Sequence, residues 1–218
     1  MVTKCPNPKC KHEFEVADGC EGKNSPCPSC GQVITIRSLR IIQEVERQHL
    51  LRCSRQVKDN SEPVRFSALL EDIRSLWNVG SIFRSADGAG FTALHLCGIT
   101  GCPPHKSIAK TSLGAEDHVG WQHYSSALDI LPKLSANGVQ VVALEKTEQS
   151  ETLSSALARN AFQPPICLLV GNEVAGISAE CLSQAILTCH LPMHGIKTSL
   201  NVAVAFGIAA YQIRENLP

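Results

Sequence analysis

The sequence lacks an excess of charge of either sign, a long apolar run and an apolar N-terminal segment. Lys and Arg together equal Asp and Glu at 20 each, so net charge gives no argument for nucleic-acid binding and any basic surface must be local. No run approaches the roughly 18 apolar residues that span a bilayer, and residues 1–7 have no apolar core of the kind found in secretory signals. We therefore expect a cytoplasmic protein that does not enter membranes.

The chain also lacks a Gly-x-Gly-x-x-Gly sequence after any strand-like run, which argues against the dinucleotide-binding fingerprint. It contains instead an alternation of strand-like and helical segments. Residues 139–144 and 166–170 are near-continuous apolar runs, typical of parallel strands covered on both faces. Residues 64–70 and 91–97 are further strand candidates. This alternation predicts an α/β domain with a mainly parallel sheet over residues 63–218.

Cysteine is concentrated near the N-terminus, where five of the 11 lie within the first 30 residues. Four of these form two pairs with 16 residues between the pairs: Cys5 with Cys10, and Cys27 with Cys30. Four thiolates suit a tetrahedral Zn²⁺ ion, and a module this small needs a metal to fold. Residues 1–36 are therefore predicted to form a zinc ribbon. Reduced cysteines or a disulfide framework are the alternatives, and His12 or Cys20 could replace a ligand.

A linker separates this module from the main domain. Residues 37–58 contain neither Gly nor Pro, and their apolar residues recur near helical spacing. We predict a linker helix within residues 37–62. Its Arg and Lys residues could contact RNA phosphates, or they could form a solvated face of a helix that packs on the main domain.

Three segments place polar residues where loops meet helices. Residues 78–90 begin with Asn-Val-Gly and include an Arg, residues 168–177 contain Gly-Asn-Glu-Val-Ala-Gly, and residues 191–211 contain Ser-Leu-Asn-Val before an Ala-rich helix. Free N–H groups at the start of that last helix suit a polar ligand. The alternative is a buried helix capped by Thr198 or Ser199.

Taken in order, these segments resemble the three motifs of the SpoU (TrmH-like) branch of the SPOUT RNA methyltransferases, over about residues 64–216. The visible departures are Leu191, Asn172 and Ala203. The resemblance implies a SPOUT α/β fold with a C-terminal trefoil knot. It also implies S-adenosylmethionine as cofactor, methyl transfer to a ribose 2′-hydroxyl of tRNA or rRNA, and a homodimer formed through the knotted domain in which the partner completes each active site.

The resemblance assigns roles to individual residues. It implies cofactor binding, mostly through backbone groups, by Leu144, Gly171, Leu191, Met193, Ser199 and Leu200. The catalytic residues that it implies are Asn78, Arg84, Glu173, Ser199 and Asn201. We expect Asn78 to orient Arg84 and the RNA, and also to suit a helix N-cap. Glu173 is expected to open a helix.

The Arg84 side chain has two possible roles in such an enzyme. The family's Arg acts on the 2′-hydroxyl, and one role for it is that of a base, but a guanidinium group rarely loses its proton. We favour a clamp on the target phosphate that also stabilises the developing oxyanion. The alternative is a structural salt bridge to Asp87 or Glu71.

Residues 103–116 coincide with the RNA-contacting segment of SpoU proteins. Its candidate phosphate contacts are Lys106, Lys110 and Thr111. Trp121 and His123 follow closely and could stack on a base, although a lone Trp more often belongs to the core. The zinc ribbon is expected to hold RNA outside the active site, so replacing Cys27 and Cys30 should reduce RNA affinity and leave cofactor binding intact.

Three other functions remain open from the sequence. The first is a non-catalytic RNA-binding protein that uses the ribbon and the SPOUT domain as a platform. The second is base methylation, as in the guanine-N1 branch of the superfamily. The third is a zinc-ribbon regulator of DNA, which would predict a more basic module.

Overall fold

The computed structural model describes residues 1–36 apart from 6, 8 and 21, the backbone of 54 and 55, and residues 64–217. The rest of the expected linker helix over residues 37–62 lies outside these ranges. Its two described residues form a strand, Ser54–Arg55, rather than part of a helix. They pair with the outer strand of the parallel sheet, whose edge would otherwise present unpaired backbone groups.

The N-terminal module consists of two antiparallel hairpins. The first joins β1 (Val2–Lys4) to β2 (Glu13–Glu15), and the second joins β3 (Asn24–Pro26) to β4 (Val33–Thr35). Its core is small: Ile34 is fully buried and packs with Cys5 and Cys27. A core of this size cannot provide most of the module's folding stability, which must come from another source, such as a bound metal.

The main domain is built on one eight-stranded sheet. In chain order its strands are β5 (Ser54–Arg55), β6 (Phe66–Glu71), β7 (Ala93–Cys97), β8 (Gly120–Tyr124), β9 (Gln140–Leu144), β10 (Glu151–Thr152), β11 (Ile166–Val170) and β12 (Leu187–His190). The spatial order is β10-β12-β9-β11-β6-β7-β8-β5, and every pair is parallel except β8 with β5. The expected α/β class with a parallel sheet is confirmed.

Helices cover both faces of this sheet. They are α1 (Leu76–Ala89), α2 (Lys106–Ser112), α3 (Leu131–Ala136), α4 (Leu153–Ala158), α5 (Ala179–Leu182) and α6 (Val202–Asn216). Residues of α1, α2, α4 and α6 join one hydrophobic cluster, and residues of α3 and α5 join a second. Successive β6 residues alternate between the clusters, since Ala68 and Leu70 belong to the first and Leu69 to the second. This alternation follows from the two-residue period of a strand.

Helix α1 is held against α2 by a glycine of the first motif. A Cβ atom at Gly80 would lie 2.1 Å from Thr111 Oγ1 and 2.3 Å from the carbonyl oxygen of Ile108, so no larger residue fits. The Thr111 hydroxyl also donates a hydrogen bond to the carbonyl oxygen of Trp77 at 3.0 Å. These contacts fix the position of α1, and the helix in turn positions the site described below.

Within the described ranges, no helix is long and apolar enough to cross a bilayer.

Candidate functional site

A cavity of about 290 Å³ lies at the carboxyl ends of the adjacent strands β12, β9 and β11. This edge is where parallel α/β sheets commonly bind ligands. All six residues expected to bind cofactor line it: Leu144, Gly171, Leu191, Met193, Ser199 and Leu200. The sequence reasoning missed other lining residues, among them Glu145, His190 and Thr198, because they stand outside the most recognisable parts of the motifs.

Gly171 must be glycine because the chain folds back on itself directly after β11. A Cβ atom there would lie 2.4 Å from the carbonyl carbon of Gly176 and 2.5 Å from the nitrogen of Ile177. Such distances are far inside van der Waals contact, so the backbone could not keep this path. The second motif therefore forms a tight turn that brings backbone groups to the wall of the cavity.

Asn172, one of the departures from the family pattern, closes this turn. Its Oδ1 accepts hydrogen bonds from the N–H groups of Val174 and Ala175 at 2.9 and 3.0 Å. Its Nδ2 donates to the carbonyl oxygen of Asp72 at 2.7 Å. Backbone hydrogen bonds between Asn172 and Gly176 complete the turn. We call residues 172–176 the cofactor turn.

Glu173 lies in this turn, so the expectation that it opens a helix is wrong; α5 begins at Ala179. Its carboxylate instead accepts hydrogen bonds at the start of α1. The donors are the backbone N–H groups of Arg74 and Ser75, at 3.0 and 3.1 Å, and Asn78 Nδ2 at 2.8 Å. Burial alone would raise the pKa of Glu173, but these hydrogen bonds outweigh it and lower the pKa. The carboxylate is therefore ionised in the neutral range.

Asn201 connects the third motif to this group. Its Oδ1 accepts from the N–H groups of Ala203 and Val204, so Asn201 is the N-cap of α6, not Thr198 or Ser199. Its Nδ2 donates to Asn78 Oδ1 at 3.0 Å. Asn78 is not itself a cap, because Ser75 caps α1. One residue of each motif thus enters a continuous hydrogen-bonded chain from Asn201 through Asn78 to Glu173.

Arg84 lies apart from this chain of hydrogen bonds. It stands six residues after Asn78 on α1, which places it about 120° around the helix from that residue. Its side chain is exposed and does not line the cavity. No ion pair or hydrogen bond joins it to any described residue, so the alternative salt bridges to Asp87 and Glu71 do not form.

The expected RNA-binding segment forms helix α2. Lys106 and Lys110 are exposed, and Lys110 Nζ lies 5.4 Å from the centre of the Trp77 ring. Thr111, by contrast, uses its hydroxyl to hold α2 on α1. Trp121 is buried, as the core interpretation expects. The half-exposed Trp77 was not predicted, although its place directly before Asn78 could have drawn attention to it.

The four cysteines of the N-terminal module converge on one point. Their sulfur atoms all lie within 4.8 Å of one another, with Cys5 Sγ 3.7 Å from Cys30 Sγ and Cys10 Sγ 3.8 Å from Cys27 Sγ. Tetrahedral zinc with Zn–S bonds of about 2.3 Å separates its sulfurs by about 3.8 Å, so the cluster fits this ion. Neither His12 nor Cys20 belongs to the cluster.

The thiols of this cluster differ in acidity. Burial raises the pKa of Cys5 to about 12. A hydrogen bond to the backbone of His12 lowers the pKa of Cys10 to about 7. One thiol of each hairpin is buried, Cys5 in the first and Cys27 in the second. Such burial suits a closed structural site with no open position for a substrate.

Comparison with known proteins agrees with these motifs. Residues 65–211 match the SpoU rRNA Methylase family. The chain belongs to this family. Among curated relatives, the tRNA (guanosine(18)-2'-O)-methyltransferase of Borreliella burgdorferi is 27% identical over 149 residues, which cover 68% of this chain and 66% of that protein. The 23S rRNA (guanosine(2553)-2'-O)-methyltransferase of Bacillus subtilis is 29% identical over 150 residues, covering 67% and 56% respectively.

Solved structures resemble the main domain. The AdoMet-bound rRNA methyltransferase from Sinorhizobium meliloti has a TM-score of 0.66 and 27% identity, covering 75% of this chain and 61% of that chain. A structure solved to study the 2-OH methylation of C/U34 on tRNA has a TM-score of 0.61 and 28% identity, covering 69% and 95%. The fold is thus that of SPOUT methyltransferases. The chain spans between half and two thirds of the length of the two curated relatives.

Proposed function

We propose that this protein is an S-adenosylmethionine-dependent RNA methyltransferase that modifies a ribose 2′-hydroxyl of tRNA or rRNA. The main support is the meeting of all three motifs beside one cavity, through the hydrogen bonds of Asn201, Asn78 and Glu173. The names of the relatives support the ribose hydroxyl as target and tRNA or rRNA as substrate.

The residues that would hold the cofactor are those lining the cavity. Its size and its mixture of apolar walls, from Leu144 and Leu200, with backbone groups near Gly171 fit a nucleoside-type ligand. When bound, S-adenosylmethionine supplies a methyl group already activated by a positive sulfur. The protein's own contribution is then mainly positioning.

Different charged and polar residues contribute to this positioning. Ionised Glu173 fixes the amide of Asn78, and Asn78 fixes that of Asn201, so the three side chains are held at the rim before substrate arrives. Ser199, in the loop before α6, is exposed at the cavity and can donate to the cofactor or to RNA. Arg84 would hold the target phosphate and stabilise the charge that develops on the 2′-oxygen.

Arg84 does not line the cavity of its own subunit, so we infer that it serves the cavity of a second subunit. Helix α6 packs on α1 and presents an exposed apolar stripe at helical spacing, with Val204, Ile208 and Tyr211 exposed by 51%, 40% and 49%. Such a stripe suits burial against an identical stripe in a symmetric dimer. We propose a homodimer in which Arg84 of one subunit serves the cofactor cavity of the other.

Four further assignments accompany this proposal. The chain is organised as a zinc ribbon (residues 1–36), a linker (37–62) and the methyltransferase domain (63–218), whose C-terminal segment forms the trefoil knot implied by the resemblance. The four clustered cysteines bind structural Zn²⁺, and Lys106 and Lys110 contact RNA phosphates, whereas Thr111 has mainly a structural role. We also assign the protein to the cytoplasm, where tRNA and rRNA are available as substrates.

The test is incubation with isotope-labelled S-adenosylmethionine and total tRNA and rRNA, followed by digestion and identification of labelled nucleosides by mass spectrometry. Arg84→Ala serves as the comparison. A labelled 2′-O-methylnucleoside that disappears with Arg84→Ala, while cofactor binding persists, would support the proposal. A labelled base would indicate base methylation. RNA binding with neither label nor cofactor binding would favour the non-catalytic platform.

A further inference from the structure

The zinc ribbon does not lie apart from the cofactor cavity, because it is docked on the segment that follows β11. The backbone N–H of Thr35 donates to Glu180 Oε1 at 3.1 Å, and the Thr35 hydroxyl shares its one proton between Glu180 Oε2 at 3.2 Å and Asn24 Oδ1, within the ribbon, at 2.9 Å. The N–H of Ala179 donates in turn to Thr35 Oγ1 at 3.3 Å. Three hydrogen bonds therefore join the last strand of the ribbon to the start of α5.

A second contact reaches the cofactor turn itself. Gly22 has φ +82°, and a Cβ atom at this position would lie 2.9 Å from the Cβ and 3.2 Å from the Cα of Ala175. The backbone of the ribbon thus lies directly against the turn. Any side chain at position 22 would push the ribbon and the turn apart.

The turn forms a wall between two spaces. A cavity of about 260 Å³ lies between the ribbon and the main domain, and Asn172, Val174 and Gly176 line both this cavity and the cofactor cavity. Asn172 and Glu173 tie one side of the turn to the main domain, whereas Val174 is 78% exposed and Ala175 is also exposed. This exposed tip has few buried contacts, so its position depends on what lies against it.

We propose that the ribbon positions the cofactor turn, with Gly22 and Thr35 as the positioning residues, and that disturbing this contact weakens cofactor binding. The inference rests on the proposed function, because it takes S-adenosylmethionine as the ligand of the main cavity. It also revises the expectation that the ribbon acts on RNA alone. Replacing Cys27 and Cys30 should impair cofactor binding as well.

Two glycine substitutions provide a matched test. Gly22→Ala and Gly19→Ala both place a side chain at positive φ, +82° and +80°, but only position 22 faces the turn, since nothing lies within 4 Å of a Cβ at Gly19. We expect Gly22→Ala to raise the dissociation constant of S-adenosylmethionine about tenfold, which corresponds to about 1.4 kcal/mol. Gly19→Ala should leave it unchanged. Isothermal titration calorimetry on the full chain measures both, and zinc content confirms that each ribbon is intact.

Two further variants separate docking from general damage. Adding Ala175→Gly to Gly22→Ala removes the Cβ–Cβ collision and should restore part of the affinity. Thr35→Val removes the hydroxyl that contacts Glu180 and Ala179, and also Asn24 within the ribbon, whereas Thr35→Ser retains it; unchanged zinc content shows that the ribbon itself is intact. Thr35→Val alone should raise the KM for the cofactor, with kcat at saturating cofactor unchanged.

The outcomes are distinct. If the wild-type protein does not bind S-adenosylmethionine, the proposed function fails. If the wild-type protein binds and Gly22→Ala binds equally well, the positioning role is wrong. If Gly22→Ala and Gly19→Ala lose affinity for S-adenosylmethionine equally, the cause lies inside the ribbon, and the positioning role is again wrong. If Gly22→Ala loses its zinc, the positioning role is tested instead by comparing cofactor binding in Thr35→Val and Thr35→Ser.

Discussion

The side-chain amide of Asn201 donates a hydrogen bond to Asn78 Oδ1 across 3.0 Å, and these residues are separated by 123 positions in the sequence. Asn201 also caps α6 through its Oδ1. One side chain therefore ends a loop of the cofactor cavity, starts the last helix and holds the first motif in place. The cap uses Oδ1 and the bond to Asn78 uses Nδ2, so substitutions can separate these two functions.

Asn201→Ser should retain the cap and lose the bond to Asn78, whereas Asn201→Ala should lose both. We expect Asn201→Ala to be less stable than Asn201→Ser by about 1 kcal/mol, the usual contribution of an N-cap. Both should lose most of their methyl-transfer activity, since neither fixes Asn78. Urea denaturation and initial rates measure the two effects. Retained activity in Asn201→Ser would show that the bond is dispensable.

Glu173 should make the stability of the protein sensitive to acid. Its pKa is lower in the folded state than the ordinary value of 4.5, so it contributes stability above that value. The contribution is lost as the pH falls from about 4.5 through the lower folded pKa.

Glu173→Gln should therefore flatten the acid side of the stability profile. Urea unfolding at several pH values between 6 and about 3 would show this change. Glu148→Gln is a matched control, because Glu148 is exposed and its carboxylate forms no hydrogen bond or ion pair with any described residue. A profile for Glu173→Gln as steep as that of the control would contradict the role given to the hydrogen bonds at the start of α1.

Gly171→Ala should abolish cofactor binding. Its Cβ would collide with the backbone of Gly176 at 2.4 Å, and overpacking of this kind costs about 1–3 kcal/mol or more. Gly195→Ala lies in the other cavity loop, where nothing is within 4 Å of the new Cβ, and should bind cofactor normally. Calorimetric titration compares the two, and normal binding by Gly171→Ala would mean that the turn can move.

The purified protein should contain one zinc ion per chain, held by the four clustered cysteines. Cys30→Ser should reduce the metal content, whereas Cys20→Ser should not, because Cys20 lies outside the cluster. Elemental analysis measures the content, and Co²⁺ substitution should give the absorption of a tetrahedral thiolate site. Equal zinc in both variants would exclude the assigned ligand set.

Ile208→Glu should convert the protein to a monomer and abolish turnover, because it places a charge in the apolar stripe of α6. Ile186→Glu is the control, since Ile186 is also exposed, at 56%, but lies outside that stripe. Light scattering gives the oligomeric state. Mixing Arg84→Ala chains with Gly171→Ala chains should restore some activity if each site uses both subunits. No recovery would contradict the shared site.

The positions of four strands of the main sheet and many of the residues that line the cofactor cavity could be predicted from the sequence. The runs at residues 139–144 and 166–170 coincide closely with β9 and β11. Strands buried on both faces are apolar throughout and leave a clear signal. Motif residues such as Gly171 and Leu191 lie at strand ends, and parallel strands gather their carboxyl ends at one edge.

The pairing of side chains could not be predicted in the same way. Nothing near Glu173 in the sequence indicates that its partners are the N–H groups before α1, almost 100 residues earlier. The position of Arg84 away from the cavity and the docking of Thr35 on Glu180 also depend on how distant segments pack. Local propensity contains no information about such contacts.

The bond between Asn201 and Asn78 also has a consequence for biosynthesis. During translation, the first and second motifs emerge long before α6, so the early chain can form the contact between Glu173 and Asn78. The wall formed by Ser199, Leu200 and Asn201 is still missing at that stage. A chain that has not yet formed α6 therefore lacks a complete cofactor cavity.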